Sequence, residues 1–311
     1  MVKKILLLFI ILCMNNVSFA SVKIWFCPND SGFITDKQLE KKWAHSRGDI
    51  DVYKFYYQLI LNDSYEGLKK KISFLQSNNI QIAVELPPLV WEENGRGFKI
   101  ESFQRKGLIE SVMKKLKAVN AKLDYVALDE PLYFAHYMNG PAAVNYNLDV
   151  LASKISDSLK IVYAYYPNVI VGEIEPIGAF KHLTMTEKYN LFNNWFVAFN
   201  NKNDKPLKFL HDDVSWRDDW ENEITLLHQL TKKNNLENGI IFNSAYQWYN
   251  SELWMKSARL NIDKVLSRGS LIPNVAVLQS WNKSPEIIAD DNNISAHSSL
   301  VLYFINKRDA N

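Results

Sequence analysis

Two adjacent acidic residues and a proline end a short apolar segment in the middle of the chain. Residues 125–128 (YVAL) have the β-branched and aromatic composition of a buried strand. Asp129 and Glu130 follow directly, and Pro131 then ends the pattern, because proline cannot donate a hydrogen bond to a central sheet. Carboxylates are costly to bury, so this order predicts a strand that carries acids to the rim of a pocket. The alternative is that both acids only mark the point where a loop enters solvent.

Similar groups of polar and aromatic residues follow other strand-like segments. Residues 168–176 again place acids just before a proline, and residues 206–213 end in a histidine and two aspartates. The opposite ends of these segments are ordinary in composition. The candidates gathered at the carboxyl ends are, in chain order, Asn29, Asp30, Lys54, Gln58, Glu85, Asp129, Glu130, His136, Glu173, Glu175, His211, Asp213, Trp216, Asn243, Gln279 and Trp281.

The segments that must position these residues alternate between strand-like and helix-like patterns. Helical segments are recognised by apolar residues three and four positions apart, as in Leu68, Ile72 and Leu75. The predicted strands are 22–28, 50–58, 80–86, 123–129, 168–174, 206–212, 238–243 and 274–281. The predicted helices are 65–77, 107–120, 142–160, 220–235 and 252–268, and residues 161–166 either extend the third of these or form an extra turn.

Eight strands with intervening helices predict an α/β fold of the (β/α)8, or TIM barrel, type. No linker, repeat or low-complexity stretch divides the chain, so we expect one domain over residues 21–311. An open doubly wound sheet would also alternate strands and helices, but its glycine-rich phosphate-binding sequence is missing. Because barrel enzymes build their active sites at the carboxyl ends of the strands, the candidate residues are expected to share one rim.

A rim of carboxylates with aromatic walls suits cleavage of glycosidic bonds. That reaction needs one protonated carboxyl group to donate to the leaving oxygen and a second to act as nucleophile or base. Acids crowded at a dry rim raise one another's pKa values, which supplies the protonated group. The nine tryptophans and the 13% aromatic content offer rings for the apolar faces of sugars.

On these motifs the chain resembles the (β/α)8 glycoside hydrolases of the large retaining clan, in which an Asn-Glu-Pro-like motif closes the fourth strand. The matching residues are Asp129, Glu130 and Pro131, and the resemblance implies that Glu130 is the acid/base. It also implies that Trp281, at the end of the eighth strand, is a sugar-stacking platform. The resemblance extends over the whole barrel as an order of strands and helices, and the sequence motifs that carry it are short.

The chain departs from that clan at two positions. Asp129 replaces the usual asparagine, and Asn243 stands where the nucleophilic glutamate would close strand seven. The second carboxylate must then come from elsewhere. Glu175 on the neighbouring strand is the first choice, since adjacent strands lie roughly 4.8 Å apart and a retaining pair needs about 5–5.5 Å. Asp213, one strand farther, fits the wider separation of an inverting pair.

The remaining candidates are predicted to bind substrate, and several have a structural alternative. Glu85 and Glu173 could instead pair with Lys54 inside the barrel. His136 and His211 are more often hydrogen-bonded structural histidines than ligands. The residues predicted to contact substrate are Asp129, Lys54, Glu85, His136, His211, Trp216, Asn243, Gln279 and Trp281.

Two other function classes stay open at this point. Glu85, Asp129 or Glu130, and Glu175 resemble the magnesium site of enolase-type barrels, and His211 with Asp213 could bind a divalent ion. The paired histidines of a hydrolytic zinc site are missing, so we expect neither a metal nor another cofactor. A non-catalytic carbohydrate-binding barrel is the other class, and Asn243 favours it, whereas clustered carboxylates oppose it.

The first twenty residues predict a secretory signal peptide. Lys3 and Lys4 precede an apolar run, and a small-residue cleavage site ends at Ala20, so we expect a secreted or periplasmic protein with no membrane anchor after cleavage. The chain has 36 basic and 34 acidic residues, and cleavage removes two lysines and no acid. Balanced charge gives no electrostatic case for nucleic acid. Cys27 has no cysteine partner in the mature chain, and the oligomeric state is not predicted.

Overall fold

The computed structural model describes residues 22–246 and 248–310, in which eight parallel strands form a closed barrel. The predicted signal peptide lies outside these residues. Each strand pairs with its neighbours in chain order, and the first pairs with the last. This confirms the predicted (β/α)8 fold. The strands are β1 Lys23–Cys27, β2 Val52–Tyr56, β3 Gln81–Leu86, β4 Tyr125–Asp129, β5 Ile170–Glu175, β6 Phe209–Asp212, β7 Glu237–Phe242 and β8 Val275–Gln279.

Helices surround the barrel, and most begin close to the predicted positions. The helix predicted at 65–77 has those bounds, and the one predicted at 142–160 begins later and continues to Tyr165. Four helices of the described residues had no prediction, and these are Ala44–Gly48, Tyr57–Asn62, Met185–Lys202 and Ser299–Asp309. The helices are α1 Ala44–Gly48, α2 Tyr57–Asn62, α3 Tyr65–Ser77, α4 Leu108–Ala118, α5 Leu148–Tyr165, α6 Met185–Lys202, α7 Trp220–Asn234, α8 Ser251–Leu266 and α9 Ser299–Asp309.

Local sequence accounts for the helix boundaries and for the packing of each helix on the barrel. In α3 the side chain of Ser64 accepts a hydrogen bond from the Gly67 amide at 2.9 Å, which satisfies a free donor of the first turn. Its buried residues Leu68, Ile72 and Leu75 lie on one face. Burial of each such leucine or isoleucine contributes about 1.5–3 kcal/mol. None of the helices in the described part of the chain combines the length and apolar composition that crossing a membrane requires.

The barrel interior is filled by side chains from alternate positions of the strands. Trp25 lies at its centre, with its ring 4.9 Å from that of Tyr125 and 4.8 Å from that of His211. Gly172 and Gly239 leave room for the rings of β6, since a Cβ atom at either position would meet Phe209 or His211 at 2.3 Å. The apolar interior cluster comprises Trp25, Val52, Ala83, Tyr125, Ala127, Ile174, Phe209, Ile241, Val275 and Val277. These positions define which residues of each strand face inward.

Candidate active site

A cavity of 460 Å³ opens at the carboxyl ends of the strands, above the apolar interior. Five of its lining residues are acids, and four others carry aromatic rings. The acids are Glu85, Glu101, Asp129, Glu130 and Asp213, the aromatic residues are Tyr56, Tyr57, Tyr133 and Trp281, and the rest are Asn29, Gln58, Leu59, Ile174, Pro176, Ala179, Ile241 and Gln279. The rim predicted from the strand ends therefore exists, with a partly different membership.

Glu130 is the first residue after β4, and the backbone turns sharply there. Its φ angle is +48°, in a region that side chains other than glycine rarely adopt. The Glu130 amide donates to the Ile174 carbonyl of β5 at 3.1 Å, which holds the turn. The side chain lines the cavity while the residue is only 8% exposed. Burial, followed by the charges of Asp213 and Asp129, raises the pKa of Glu130 well above its ordinary value.

Asp213 follows β6 and enters the same cavity. Phe209 and His211 contact Trp25 in the barrel interior, so the alternation of the strand brings Asp213 to the inner side as well. The side-chain amide of Asn243, at the end of β7, donates to Asp213 Oδ1 at 3.0 Å. Burial raises the pKa of Asp213 to about 7, although this hydrogen bond lowers it. Asn243 thus occupies the end of β7 as a partner of Asp213.

The base of the cavity contains a buried ion pair. The Lys54 ammonium group is fully buried, pairs with the Glu85 carboxylate and donates to Gln279 Oε1 at 2.6 Å. The predicted structural alternative, a Glu85–Lys54 pair inside the barrel, is confirmed. Asp129 also lines this part of the cavity, and burial together with the charges of Glu85 and Glu101 raises its pKa well above the ordinary value.

Glu175 does not reach the cavity, in contrast to its predicted role as second carboxylate. Its neighbour Ile174 belongs to the barrel interior, so Glu175 faces outward toward the helices. There it is fully buried and accepts the amides of Leu132 at 2.6 Å and Tyr133 at 3.0 Å. Both oxygens therefore hold the segment that follows Glu130. Glu173, on the same face, accepts the Trp195 indole N–H and does not pair with Lys54.

The two histidines and Trp216 also lie away from this cavity. His136 contacts the Tyr146 carbonyl through Nδ1 at 2.7 Å, in the segment between β4 and α5. His211 is fully buried beneath the cavity, stacked beside Phe209, and burial lowers its pKa well below the ordinary value. Trp216 is 4% exposed and packs on Phe242. The positions of the two histidines differ from the substrate contacts predicted for them and favour structural roles, whereas Trp216 lines a smaller cavity that adjoins this one.

Trp281, by contrast, lines the cavity as predicted. It is 38% exposed, so part of the ring is free to contact a ligand.

Glu101 is the acid that the sequence prediction missed. It lies in the long connection between β3 and α4, beside a small sheet formed by residues 89–90 and 103–104. Most βα connections have about 2–6 residues, and a much longer one is usually functional. That length was the available signal. Tyr56 and Tyr57 were also missed, although they directly precede the candidate Gln58.

Among residues 22–246 and 248–310, no group of three or more histidine, cysteine, aspartate or glutamate side chains is arranged to hold a metal ion. One buried ammonium group, that of Lys54, forms an ion pair with an acid of the cavity, Glu85. The arrangement can therefore do proton chemistry, because Glu130 and Asp213 line one cavity and both have raised pKa values.

No protein-family model and no curated protein sequence matches this chain. Solved structures with a similar fold include several glycoside hydrolases. GH5_18 from Streptomyces cattleya, in complex with GlcNAc, is 10% identical with a TM-score of 0.54, and the match covers 94% of this chain and 81% of that one. A fungal β-1,4-galactanase is also 10% identical with a TM-score of 0.54, over 92% of this chain and 100% of that one.

Xylanase 10B from Thermotoga petrophila, in complex with xylobiose, is 13% identical with a TM-score of 0.51, over 84% of this chain and 82% of that one. Identities this low establish a shared barrel fold, and function must be argued from the site itself. The chain is a (β/α)8 barrel whose structural neighbours include glycoside hydrolases.

Proposed function

We propose that this protein is a glycoside hydrolase in which Glu130 is the proton donor and Asp213 is the second carboxylate. One observation carries the proposal. Carboxyl groups from β4 and β6 line a single cavity, and the charge of Asp213 is the largest influence on Glu130 after burial. Burial and the nearby charge of Asp213 keep the proton on Glu130 to a higher pH than an ordinary carboxyl group keeps its own.

The two groups then divide the roles that hydrolysis requires. The pKa of Asp213 is raised to about 7, whereas that of Glu130 is raised well above its ordinary value. In this assignment the ionised Asp213 acts as base, and Glu130, whose pKa burial raises well above its ordinary value, is the group that keeps its proton for the leaving oxygen.

The positions of the strands favour inversion of the anomeric centre. β5 lies between β4 and β6, so the two acids are two strand spacings apart, on the order of 10 Å at the backbone. Side chains that point toward the barrel axis reduce this separation. The result is compatible with the ~6.5–9.5 Å of an inverting pair, which leaves room for a water molecule. We expect Asp213 to activate that water.

Other cavity residues are proposed to hold the sugar. Trp281 offers an exposed ring for the apolar face of a pyranose, and Asp129 offers acceptor oxygens for its hydroxyl groups. Glu85, Lys54 and Gln279 form the polar base against which the ring would rest. The structural neighbours that act on or bind xylose-, galactose- and GlcNAc-containing sugars support a carbohydrate ligand at the level of the fold.

The cellular location remains part of the proposal. The amino-terminal pattern of residues 1–20 supports export, so a secreted or periplasmic glycosidase is expected. Fusing residues 1–20 to a reporter enzyme that is active only outside the cytoplasm would test this.

A non-catalytic sugar-binding barrel is the second candidate. The observation in its favour is that Asn243 occupies the end of β7, where the resembled clan has its nucleophile. The Asn243 amide donates to Asp213, however, and this contact is equally compatible with a catalytic Asp213 and with a binding site.

The deciding experiment is a sugar-release assay over a panel of polysaccharides and aryl glycosides, with and without EDTA. Wild type is compared with Glu130→Gln and Asp213→Asn, and with Glu252→Gln, which changes an exposed acid of α8. Turnover that survives EDTA, collapses in the first two variants and persists in the third supports the hydrolase. Loss of turnover with EDTA overturns the two-carboxylate mechanism. Sugar binding without turnover in wild type supports the binder instead.

A further inference from the structure

A second cavity of 330 Å³ adjoins the first on the side of β6 and β7. We call it the side lobe. It shares Pro176, Asp213 and Trp281 with the main cavity, so the two spaces meet at the proposed second carboxylate. Asn243 and Ser244 line it with an amide and a hydroxyl group. Its volume lies at the lower end of the range for ligand pockets, about 300–1,000 Å³.

An exposed cluster of aromatic rings stands beside the side lobe. Tyr246 lies with its ring centre 5.1 Å from that of Trp248 and 4.7 Å from that of Tyr249. Trp248 is 74% exposed, the largest exposed fraction among the large hydrophobic residues of the described chain. Most of the Trp248 ring is therefore in contact with solvent and is free to be covered by a ligand.

The segment that carries these rings is anchored on both sides of Trp248. On one side the Ala245 amide donates to Ser257 Oγ at 3.0 Å. On the other side Ser284 Oγ donates to the Tyr249 carbonyl at 2.8 Å. Ala245 and Tyr249, on either side of Trp248 in the sequence, are therefore each hydrogen-bonded to a different part of the chain.

Arg217 adds a donor group to the same wall. Its guanidinium lies 4.5 Å from the ring centre of Tyr246, and it lines the side lobe. Within residues 22–246 and 248–310, no carboxylate lies at ion-pair distance from it. Lys181 of the same lobe, by contrast, pairs with Asp218 at 3.2 Å. The donors of Arg217 are thus directed to solvent and the lobe.

From this arrangement we infer that the side lobe binds a further sugar ring of the substrate, so that an oligosaccharide chain runs from the main cavity past Asp213 into the lobe. This inference rests on the proposed function. Apolar sugar faces stack on exposed aromatic rings, and sugar hydroxyl groups pair with amide, hydroxyl and guanidinium groups. The polar contacts come from Asn243, Ser244 and Arg217 in the side lobe, and the exposed ring comes from Trp248 in the aromatic cluster next to it.

The test measures how affinity and turnover depend on the number of sugar units. Xylo-, galacto- and manno-oligosaccharides of one to six units are titrated into the Glu130→Gln variant, which keeps the shape of the site, to measure their affinity. The same sugars are incubated with the wild-type protein to measure cleavage. Each measurement is repeated with Trp248→Ala and Arg217→Gln. The matched control is Phe98→Ala, which removes another exposed ring, packed on Trp91 and lining neither cavity.

The expected result is a stepwise gain of about tenfold in affinity once the chain is long enough to reach the lobe. Trp248→Ala and Arg217→Gln should remove most of that step, and Phe98→Ala should keep it. If the enzyme cleaves the sugars but the length dependence is equal in Trp248→Ala and Phe98→Ala, the inference is wrong and the proposed function stands. If wild type neither binds nor cleaves any of them, the inference and the proposed function are both contradicted.

Discussion

The barrel holds two sets of carboxyl groups that differ in the side of the sheet they face, an inner set at the main cavity and an outer set that is almost completely buried. The inner set lines the main cavity and includes Glu130 and Asp213. The outer set, Glu173, Glu175 and Asp212, lies between the strands and the helices, where Glu223 of α7 joins it. Burial raises the pKa of members of both sets. Burial and a raised pKa therefore do not identify a catalytic acid.

The hydrogen-bond partners distinguish Glu130 and Asp129 of the inner set from the outer acids, whereas Glu85 and Asp213 of the inner set accept from Lys54 and Asn243. No donor in residues 22–246 and 248–310 reaches the side chain of Glu130 or Asp129. In the outer set Glu175 accepts two backbone amides of the segment after β4. Asp212 accepts the Ile177 amide at 3.2 Å in the segment after β5, where Glu223 accepts the Gly178 amide at 2.7 Å.

The outer acids therefore stabilise the segments after β4 and β5, which carry residues of the main cavity. Glu175 of β5 and Asp212 of β6 each accept an amide from the segment that follows the preceding strand, whereas Glu173 accepts the Trp195 indole N–H. An acid with all its acceptors occupied has little capacity left for a substrate, whereas an acid with free oxygens facing a cavity has that capacity. Glu130 therefore differs from Glu175 in its pairing, because both residues are buried and, within the described residues, only Glu175 accepts hydrogen bonds through its side chain.

The largest predicted effect is the loss of activity when the inner acid Glu130 is made neutral. Glu130→Gln should lower kcat by about 10²–10⁴-fold, because general acid catalysis contributes that much. Its free energy of unfolding should not fall, since the amide is neutral like the protonated carboxyl group that it replaces, and no hydrogen bond from the described residues to the Glu130 side chain is lost. Steady-state kinetics and urea unfolding measure the two quantities. A variant that loses stability but keeps its kcat would place Glu130 in the structural set.

The second prediction compares two outer acids on the same strand. Glu175→Gln and Glu173→Gln should both destabilise the fold by about 1–3 kcal/mol, because each disturbs a buried hydrogen-bonded group. Only Glu175→Gln should also lower kcat, by about tenfold. The NH2 group of the new glutamine would face a backbone N–H of the segment after Glu130, and two donors cannot form a hydrogen bond with each other. Looser packing there admits water to Glu130, lowers its pKa and moves the alkaline limb of the pH–rate profile to lower pH.

Glu173→Gln serves as the control for that comparison, because Glu173 contacts Trp195 and not the segment after β4. Equal kinetic effects in the two variants would show that Glu175 has no specific influence on Glu130.

The third prediction concerns the pH dependence of stability. Burial raises the pKa of Glu223 from 4.5 to about 7, so its contribution is fully present below about pH 4.5 and is lost as the pH rises through 7. The loss amounts to at most about 3 kcal/mol at 1.36 kcal/mol per pKa unit. Glu223→Gln should remove it, whereas the exposed Glu252→Gln should not. Urea unfolding from pH 4.5 to 8 measures this, and parallel curves for wild type and Glu223→Gln would refute the assignment.

The smallest predicted effect is a shift of one limb of the pH–rate profile. The Asn243 amide lowers the pKa of Asp213, so Asn243→Ala should raise that pKa. The acid limb of kcat/KM should then move to higher pH by about one unit, the size expected for one hydrogen bond to a charged group. An acid limb that stays in place would mean that Asp213 does not control it.

The sequence was sufficient to predict the barrel because its signals are local. Apolar runs such as residues 125–128 alternate with helical periodicity, and all eight predicted strands are barrel strands. The helix α6 was missed although Thr184 and Glu187 form a capping box, because its apolar residues are mixed with several asparagines. Local pattern therefore predicted the elements better than it predicted their faces.

Which residues line the cavity depends on tertiary packing, which a local sequence pattern does not contain. Glu173 and Glu175 share one face of β5, and only the packing of Ile174 into the interior establishes that this face is the outer one. Glu101 reaches the cavity from a long connection whose path depends on tertiary contacts. Asp213, Glu130 and Trp281 were predicted at the rim because each follows the carboxyl end of a predicted strand.

The most direct test of the account is the pH dependence of kcat/KM for wild type on the best substrate from the release assay. If Glu130 donates the proton and Asp213 acts as base, activity rises with pH through about 7, where Asp213 ionises, and falls at higher pH as Glu130 loses its proton. Maximal activity near pH 4–5 that declines by pH 7 would contradict this assignment, because Asp213 would then be protonated in the active enzyme.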